Sequence, residues 1–176
     1  DDEDVAEVDE EGTVKAVGGG TANITASAGG LTSEPCVVTV DDQAPSVEKA
    51  DVSDYKTFVV TFTEPVTGTP EILVTSDEGK RCEQTAELAE DGKTMTISCK
   101  EALGSGSYEI QINGLTDLAG NQMEEDTVAS AVKESSVLEK FVCRNDKVPA
   151  GQSSFDVLYA AVDQYGQEFE NLPILA

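Results

Sequence analysis

The sequence predicts an all-β chain built as tandem β-sandwiches, with the terminal sandwiches partial. Three observations carry this. Apolar and polar residues alternate with period two, as in 57–62, where Phe58, Val60 and Phe62 share one face. Runs rich in β-branched residues recur about every 8–12 residues with turn residues between them. No stretch carries a convincing apolar period of 3.6, the mark of an amphipathic helix.

Strands are expected at 5–8, 13–17, 21–26 and 36–40, punctuated by Asp9-Glu10-Glu11-Gly12, Gly18-Gly19-Gly20 and Gly29-Gly30. Asp41-Asp42-Gln43-Ala44-Pro45 is polar and ends in proline, so it reads as a linker. The pattern restarts at 57–62 and continues at 71–75, 85–88, 94–99, 108–112 and 128–132. Asp91-Gly92 suits a turn that needs positive φ and predicts a hairpin between 85–88 and 94–99. Asp117-Leu118-Ala119-Gly120-Asn121 is a further turn, in which the Asp side chain is suited to accept backbone amides. A second restart near Glu134-Ser135-Ser136 leads to strands at 137–143 and 155–162 and to the turn Asp163-Gln164-Tyr165-Gly166. Residues 42–133 hold enough strands to close a sandwich alone. Residues 1–41 and 134–176 hold too few, so each reads as part of a neighbouring sandwich and the whole as an internal fragment of a longer polypeptide.

Composition narrows the partners. Lys and Arg total 11 against 35 Asp and Glu, a net charge of -24. Nucleic acid and anionic membrane surfaces need clustered cations, so the charge argues against both. There is no apolar run of transmembrane length, which excludes insertion as a helix. Histidine is absent. Ser-His-Asp and Cys-His nucleophile systems and His-ligated zinc are therefore excluded too. Paired carboxylates are uninformative in a chain with 35 acidic residues. No catalytic residue is assigned, and the chain reads as not an enzyme. Tyr55, Tyr159, Tyr165 and Phe169 are the candidates for an exposed aromatic patch, and no three of them cluster in sequence.

The cysteines are Cys36, Cys82, Cys99 and Cys143. No Cys-x-x-Cys spacing is present, which argues against a zinc site. If Leu88 faces Lys93 across the Asp91-Gly92 turn, then Cys82 faces Cys99, and directly opposed residues approach disulfide range. Such a bond would stabilise by about 3 kcal/mol in the loop-entropy model. The alternative is two thiols on neighbouring strands. Cys36 and Cys143 lie in different partial modules; they pair only if those modules fold back around the middle one.

Residues 1–12 contain eight carboxylates, and the ordinary reading of such a run is a solvated surface. Glu124, Glu125 and Asp126 read the same way. The linker pair Asp41 and Asp42 is of more interest, because a module junction can gather oxygens from two domains. Asp117 and Asn121 would join them if their turn lies at that end of the sandwich. These four are the candidate ligands for a calcium ion, which takes six to eight oxygens; otherwise no cofactor is called for.

Two stretches resemble known modules. Val8-Asp9-Glu10-Glu11-Gly12-Thr13-Val14-Lys15-Ala16-Val17, followed by Gly18-Gly19-Gly20-Thr21-Ala22-Asn23-Ile24-Thr25-Ala26, resembles the second half of a group-2 bacterial immunoglobulin-like domain. Val60-Thr61-Phe62-Thr63-Glu64-Pro65-Val66, Asp91-Gly92-Lys93-Thr94-Met95-Thr96-Ile97, Tyr108 and Asp117-Leu118-Ala119-Gly120-Asn121 resemble the S-layer type. Ala161-Val162-Asp163-Gln164-Tyr165-Gly166 looks like a strand end of related surface modules. The resemblance implies a group-2 part over 1–41, an S-layer-type immunoglobulin-like sandwich over 42–133 and the start of a further such domain over 134–176. It implies an extracellular place at the cell surface or wall and a structural role as spacer or lattice unit. Its partners would be neighbouring modules, other copies in a lattice, or a glycan. The alternatives it leaves are an adhesin or carbohydrate-binding module, and an accessory spacer of a secreted polysaccharide-degrading enzyme.

Overall fold

The computed structural model describes residues 2–144, Lys147 and 158–169. Among these the chain is all-β, with strands in three successive groups. The first group holds β1 (Ala6–Val8), β2 (Val14–Ala16), β3 (Gly20–Ile24), β4 (Ser27–Ala28), β5 (Leu31–Thr32) and β6 (Cys36–Val40), paired as β1-β2, β3-β6 and β4-β5. The middle group holds β7 (Val47–Asp54), β8 (Thr57–Phe62), β9 (Val66–Ser76), β10 (Gln84–Leu88), β11 (Thr94–Cys99), β12 (Gly106–Asp117) and β13 (Thr127–Lys133). Its strands form a four-stranded sheet of order β10-β11-β8-β7 and a three-stranded sheet of order β13-β12-β9. The last group is the antiparallel pair β14 (Leu138–Cys143) and β15 (Tyr159–Asp163). The expected strand residues 155–157 lie outside the described residues.

Alternation builds the middle sandwich. Phe58, Val60 and Phe62 of β8, Met95, Ile97 and Cys99 of β11, and Tyr108, Ile110 and Ile112 of β12 all point inward. The two sheets close over them, and the Phe58 and Tyr108 rings meet edge to face at 5.2 Å. Removing such side chains from water is the main favourable term in the fold, at about 25 cal/mol per Å² of apolar surface.

Two features shift the expected pattern. Strand β7 was not anticipated. Its sequence is rich in charge, and its pairing with β8 shifts register between Val47 and Lys49 and again between Val52 and Asp54. Those irregularities break the period-two signal, as extra residues in an edge strand do. In β12 a similar shift between Asn113 and Leu115 moves the inward parity from even to odd numbers. Leu115 and Asp117 are therefore interior, at 1% and 2% exposure. A carboxylate is thereby carried into one end of the sandwich.

The hairpin β10–β11 keeps the expected faces in a different register. Leu88 stands opposite Met95 and Gln84 opposite Cys99, where Leu88 opposite Lys93 and Cys82 opposite Cys99 were expected. The loop is longer because Ala89 N–H bonds Thr94 C=O, and the Asp91 carboxylate gathers the Lys93 and Thr94 amides. The offset is two residues, so the side-chain faces survive.

Phe58→Ala should lower unfolding free energy by about 3–5 kcal/mol in denaturant titration. Val128→Ala, on the exposed face of β13, should change it by no more than about 0.5 kcal/mol. Equal losses at both sites would contradict this core.

Candidate functional site

Three hairpin loops share one design. Asp9-Glu10-Glu11-Gly12-Thr13, Asp117-Leu118-Ala119-Gly120-Asn121 and Asp163-Gln164-Tyr165-Gly166-Gln167 each begin with Asp and carry Gly three residues later. In each, the Asp N–H donates to the carbonyl four residues on, at 3.0, 3.0 and 2.9 Å respectively. Asp9 Oδ1 accepts from the Glu11 and Thr13 amides at 2.9 and 2.8 Å. Asp117 Oδ1 accepts from Gly120 and Asn121 at 2.6 and 2.8 Å. Asp163 Oδ1 accepts from Tyr165 and Gln167 at 2.9 and 2.8 Å. The glycine has φ of +84°, +99° and +78°, a region that a β-carbon penalises. Charge-assisted bonds to backbone amides make each loop stiff.

The second and third loops sit at opposite ends of the sandwich, each against a linker. At one end lies linker 41–45. The Asn121 side-chain amide donates to the Asp41 carbonyl at 3.1 Å and to Asp117 Oδ2 at 2.8 Å. Asp42 turns the other way, to the first strand group: its Oδ2 accepts from Gly19 N–H at 3.0 Å. A β-carbon on Gly19 would lie 2.1 Å from Asp42 Oδ1, so glycine is what permits the approach. Pro45 is fully buried and fixes the entry into β7.

At the other end lies linker 134–137. Tyr165 hydroxyl accepts from Glu134 N–H at 2.9 Å, and Gln164 Nε2 donates to the Ser135 carbonyl at 2.9 Å. Ser136 Oγ donates to Asp163 Oδ2 at 2.5 Å, and Gln164 Oε1 accepts from Val137 N–H at 2.7 Å. Each linker residue is thus bonded to the 163–165 loop. Lys133, 2% exposed, closes the end of β13 with its Nζ 4.5 Å from the centre of the Tyr165 ring. Tyr55 in the β7–β8 turn donates its N–H to the Tyr165 carbonyl at 3.3 Å. Of the four aromatic candidates, Tyr55 and Tyr165 therefore meet at this junction, while Tyr159 of β15 is exposed.

The two ends differ in charge. Burial alone would raise the Asp163 carboxyl, but Ser136, the loop amides and Lys133 outweigh it and hold it below the usual value. Burial likewise opposes the bonds at Asp117, and Asn121 and the loop amides prevail. Glu64, which follows β8, is the reverse case. Partial burial first, then the Asp41 and Asp117 charges, push its carboxyl up.

Of the four expected metal ligands, the structure brings Asp41, Asp117 and Asn121 together and sends Asp42 to Gly19. It adds Glu64: one carboxylate oxygen each from Asp41, Glu64 and Asp117 lie within 4.8 Å of one another. No sequence signal points to Glu64, because its place depends on the segment that enters β7, where the Ser46 carbonyl accepts from Thr63 N–H. The corner offers hard oxygen donors, though Asp117 already serves three N–H donors of its own loop.

A seven-stranded sandwich clasped at both ends to further strand pairs defines a tandem β-module. Residues 32–139 match the family model described as bacterial Ig-like domain, and the chain belongs to that family. Residues 8–26, which carry the group-2 resemblance, precede the matched region. Among solved structures it is similar to the N-terminal part of the bacterial S-layer protein SbsC, at 24% identity and TM-score 0.50, over 73% of this chain and 33% of that one. It is similar to the same degree to the S-layer protein rSbsC(31-844), of which it covers 19%. The chain thus spans a third or less of these relatives, and the likeness establishes the fold. No curated protein matches the chain.

Two titrations follow from the charges. Asp163 is held below its unfolded value near 4, so its contribution is fully present above about pH 4 and is lost as pH falls through the folded value. Asp163→Asn should therefore lower the melting midpoint at pH 7, and the gap to the parent should close in acid. Glu64 has the opposite sign, since its ionised form is disfavoured in the fold. Glu64→Gln, measured in chelator, should raise the midpoint at pH 7, with the advantage shrinking as pH falls through the raised value. Thermal melts between pH 3 and 7 check both signs.

Proposed function

We propose that this chain is a non-catalytic structural segment of a secreted bacterial cell-surface or S-layer protein, acting as a tandem spacer whose modules are joined end to end by stiff junctions. The observation that carries the reading is the placement of the two linkers. They leave the middle sandwich at opposite ends, and each is bonded by side chains of an Asp-x-x-Gly loop. A module held this way transmits orientation to its neighbours, and a swinging tether does not. Similarity to S-layer structures supports a surface location and partners within the same polypeptide. Strong negative charge supports it too, because self-repulsion favours an extended array.

Among the described residues no helix is long and apolar enough to cross a membrane. The glycan-binding alternative has less support, because Tyr55 and Tyr165 are committed to a junction.

Small-angle scattering of the whole chain tests the reading. An elongated particle is expected, with Tyr165→Ala giving a broader distance distribution through loss of the ring over Lys133 and of the acceptor for Glu134. A compact parent particle would contradict it. The parent profile should be the same in calcium and in chelator. A calcium-dependent change at matched ionic strength that Glu64→Gln abolishes would instead assign the Asp41, Glu64 and Asp117 corner to a cation.

A further inference from the structure

Cys82 is where the chain passes from one sheet of the sandwich to the other. Its N–H donates to the Val74 carbonyl of β9 at 3.0 Å, and the preceding Arg81 bridges Thr75 of that strand. Two residues later Gln84 is paired with Cys99 of β11, in the opposite sheet. Gln84 spans the same gap, with its Nε2 donating to the Ile72 carbonyl of β9 at 2.7 Å. Cys99 points inward at 5% exposure, and Cys82 packs against the same core. Cys99 stands opposite Gln84, two positions from Cys82, so the two cysteines are diagonal neighbours on adjoining chain segments of one core cluster. The two residues are not a directly opposed pair, since the Cys82 backbone is bonded to β9 while β10 begins its pairing with β11 at Gln84.

We propose that Cys82 and Cys99 are joined as a disulfide when the chain meets an oxidant of the disulfide class, and that the bond staples the β9–β10 crossover to the centre of the opposite sheet. Cys82 is the partly exposed thiol and borders a cavity of about 220 Å³ that is also lined by Arg81, Leu103 and Tyr108. Its thiolate attacks one sulfur of the oxidant and expels the other half as a thiolate. The Cys99 sulfur, giving its proton to that leaving thiolate or to water, then attacks the Cys82 sulfur and expels the second half. Two protein thiols become one disulfide, and one oxidant disulfide becomes two thiols. The order follows from the environments. Burial, followed by the neighbouring Cys82, pushes the Cys99 thiol up to about 12, so Cys99 reacts second. Cys36 and Cys143 are both exposed, in the strand groups on either side of the sandwich, and do not compete for Cys82 within one chain.

Tryptic mapping reads the bond directly, because cleavage after Arg81, Lys93 and Lys100 places the two cysteines in separate peptides, 82–93 and 94–100. The whole chain, refolded with an excess of a small disulfide oxidant and alkylated in denaturant, should yield these two peptides linked, with Cys36 and Cys143 outside the link. Reductant should then lower the melting midpoint by about 10 °C or more, the scale expected for closing a loop of this length. The double variant Cys82→Ala, Cys99→Ala should keep its β-sheet circular dichroism and ignore reductant. Full alkylation of peptides 82–93 and 94–100, or linkage of either to Cys36 or Cys143, would overturn the proposal. So would an equal response of parent and double variant to reductant.

Discussion

The tandem arrangement depends on a carboxylate that accepts the backbone amides of its own turn. Asp117 and Asp163 each organise a five-residue loop in this way, and each loop is then presented, already stiff, to a linker. Without the carboxylate, the Gly120 and Gly166 turns would keep their shape only through glycine conformations that cost more entropy to order than any other residue. With it, the loop reaches outward: Asn121 to the Asp41 carbonyl, and Gln164 and Tyr165 to Glu134, Ser135 and Val137. Asp9 makes the same loop in the first strand group, so one local device recurs along the chain.

Charge explains why the two junctions are not equivalent. At the 134–137 end, the chain supplies its own cation. Lys133 sits buried at the end of β13, beneath the Tyr165 ring and near Asp163, so a negative group is interior beside a positive one. At the 41–45 end, three carboxylates converge, and Lys93 offers only a lesser offset to Glu64. In a chain with 35 acidic and 11 basic residues, most carboxylates face water and repel weakly through it. The few that turn inward are those that backbone amides, Asn121, Ser136 or Lys133 compensate.

The sheet class, most strands and both linkers were legible because alternation and turn residues are local signals. The inward faces of β8, β11 and β12 follow directly from Phe58, Ile97 and Ile110 in period-two runs. What escaped depended on single-residue offsets. Charge and two register shifts hid β7, and with it the position of Glu64. The offset at Gly114 buried Asp117, which the turn motif alone could not place inside. Asp91, by capping its loop, moved the β10–β11 register by two, so that Gln84 and not Cys82 stands opposite Cys99. The role of Asp163-Gln164-Tyr165 was hidden for a different reason. Its partners lie about thirty residues away in sequence, on a linker whose backbone has no pattern of its own.

Bonded through every residue of linker 134–137, the sandwich and the strand pair beyond it should keep one fixed orientation. Residual dipolar couplings of the weakly aligned chain measure this directly. Amides of β8, β11 and β12 and amides of β14 and β15 should fit a single alignment tensor. Separate tensors of different magnitude for the two sets would show a swinging junction and contradict it.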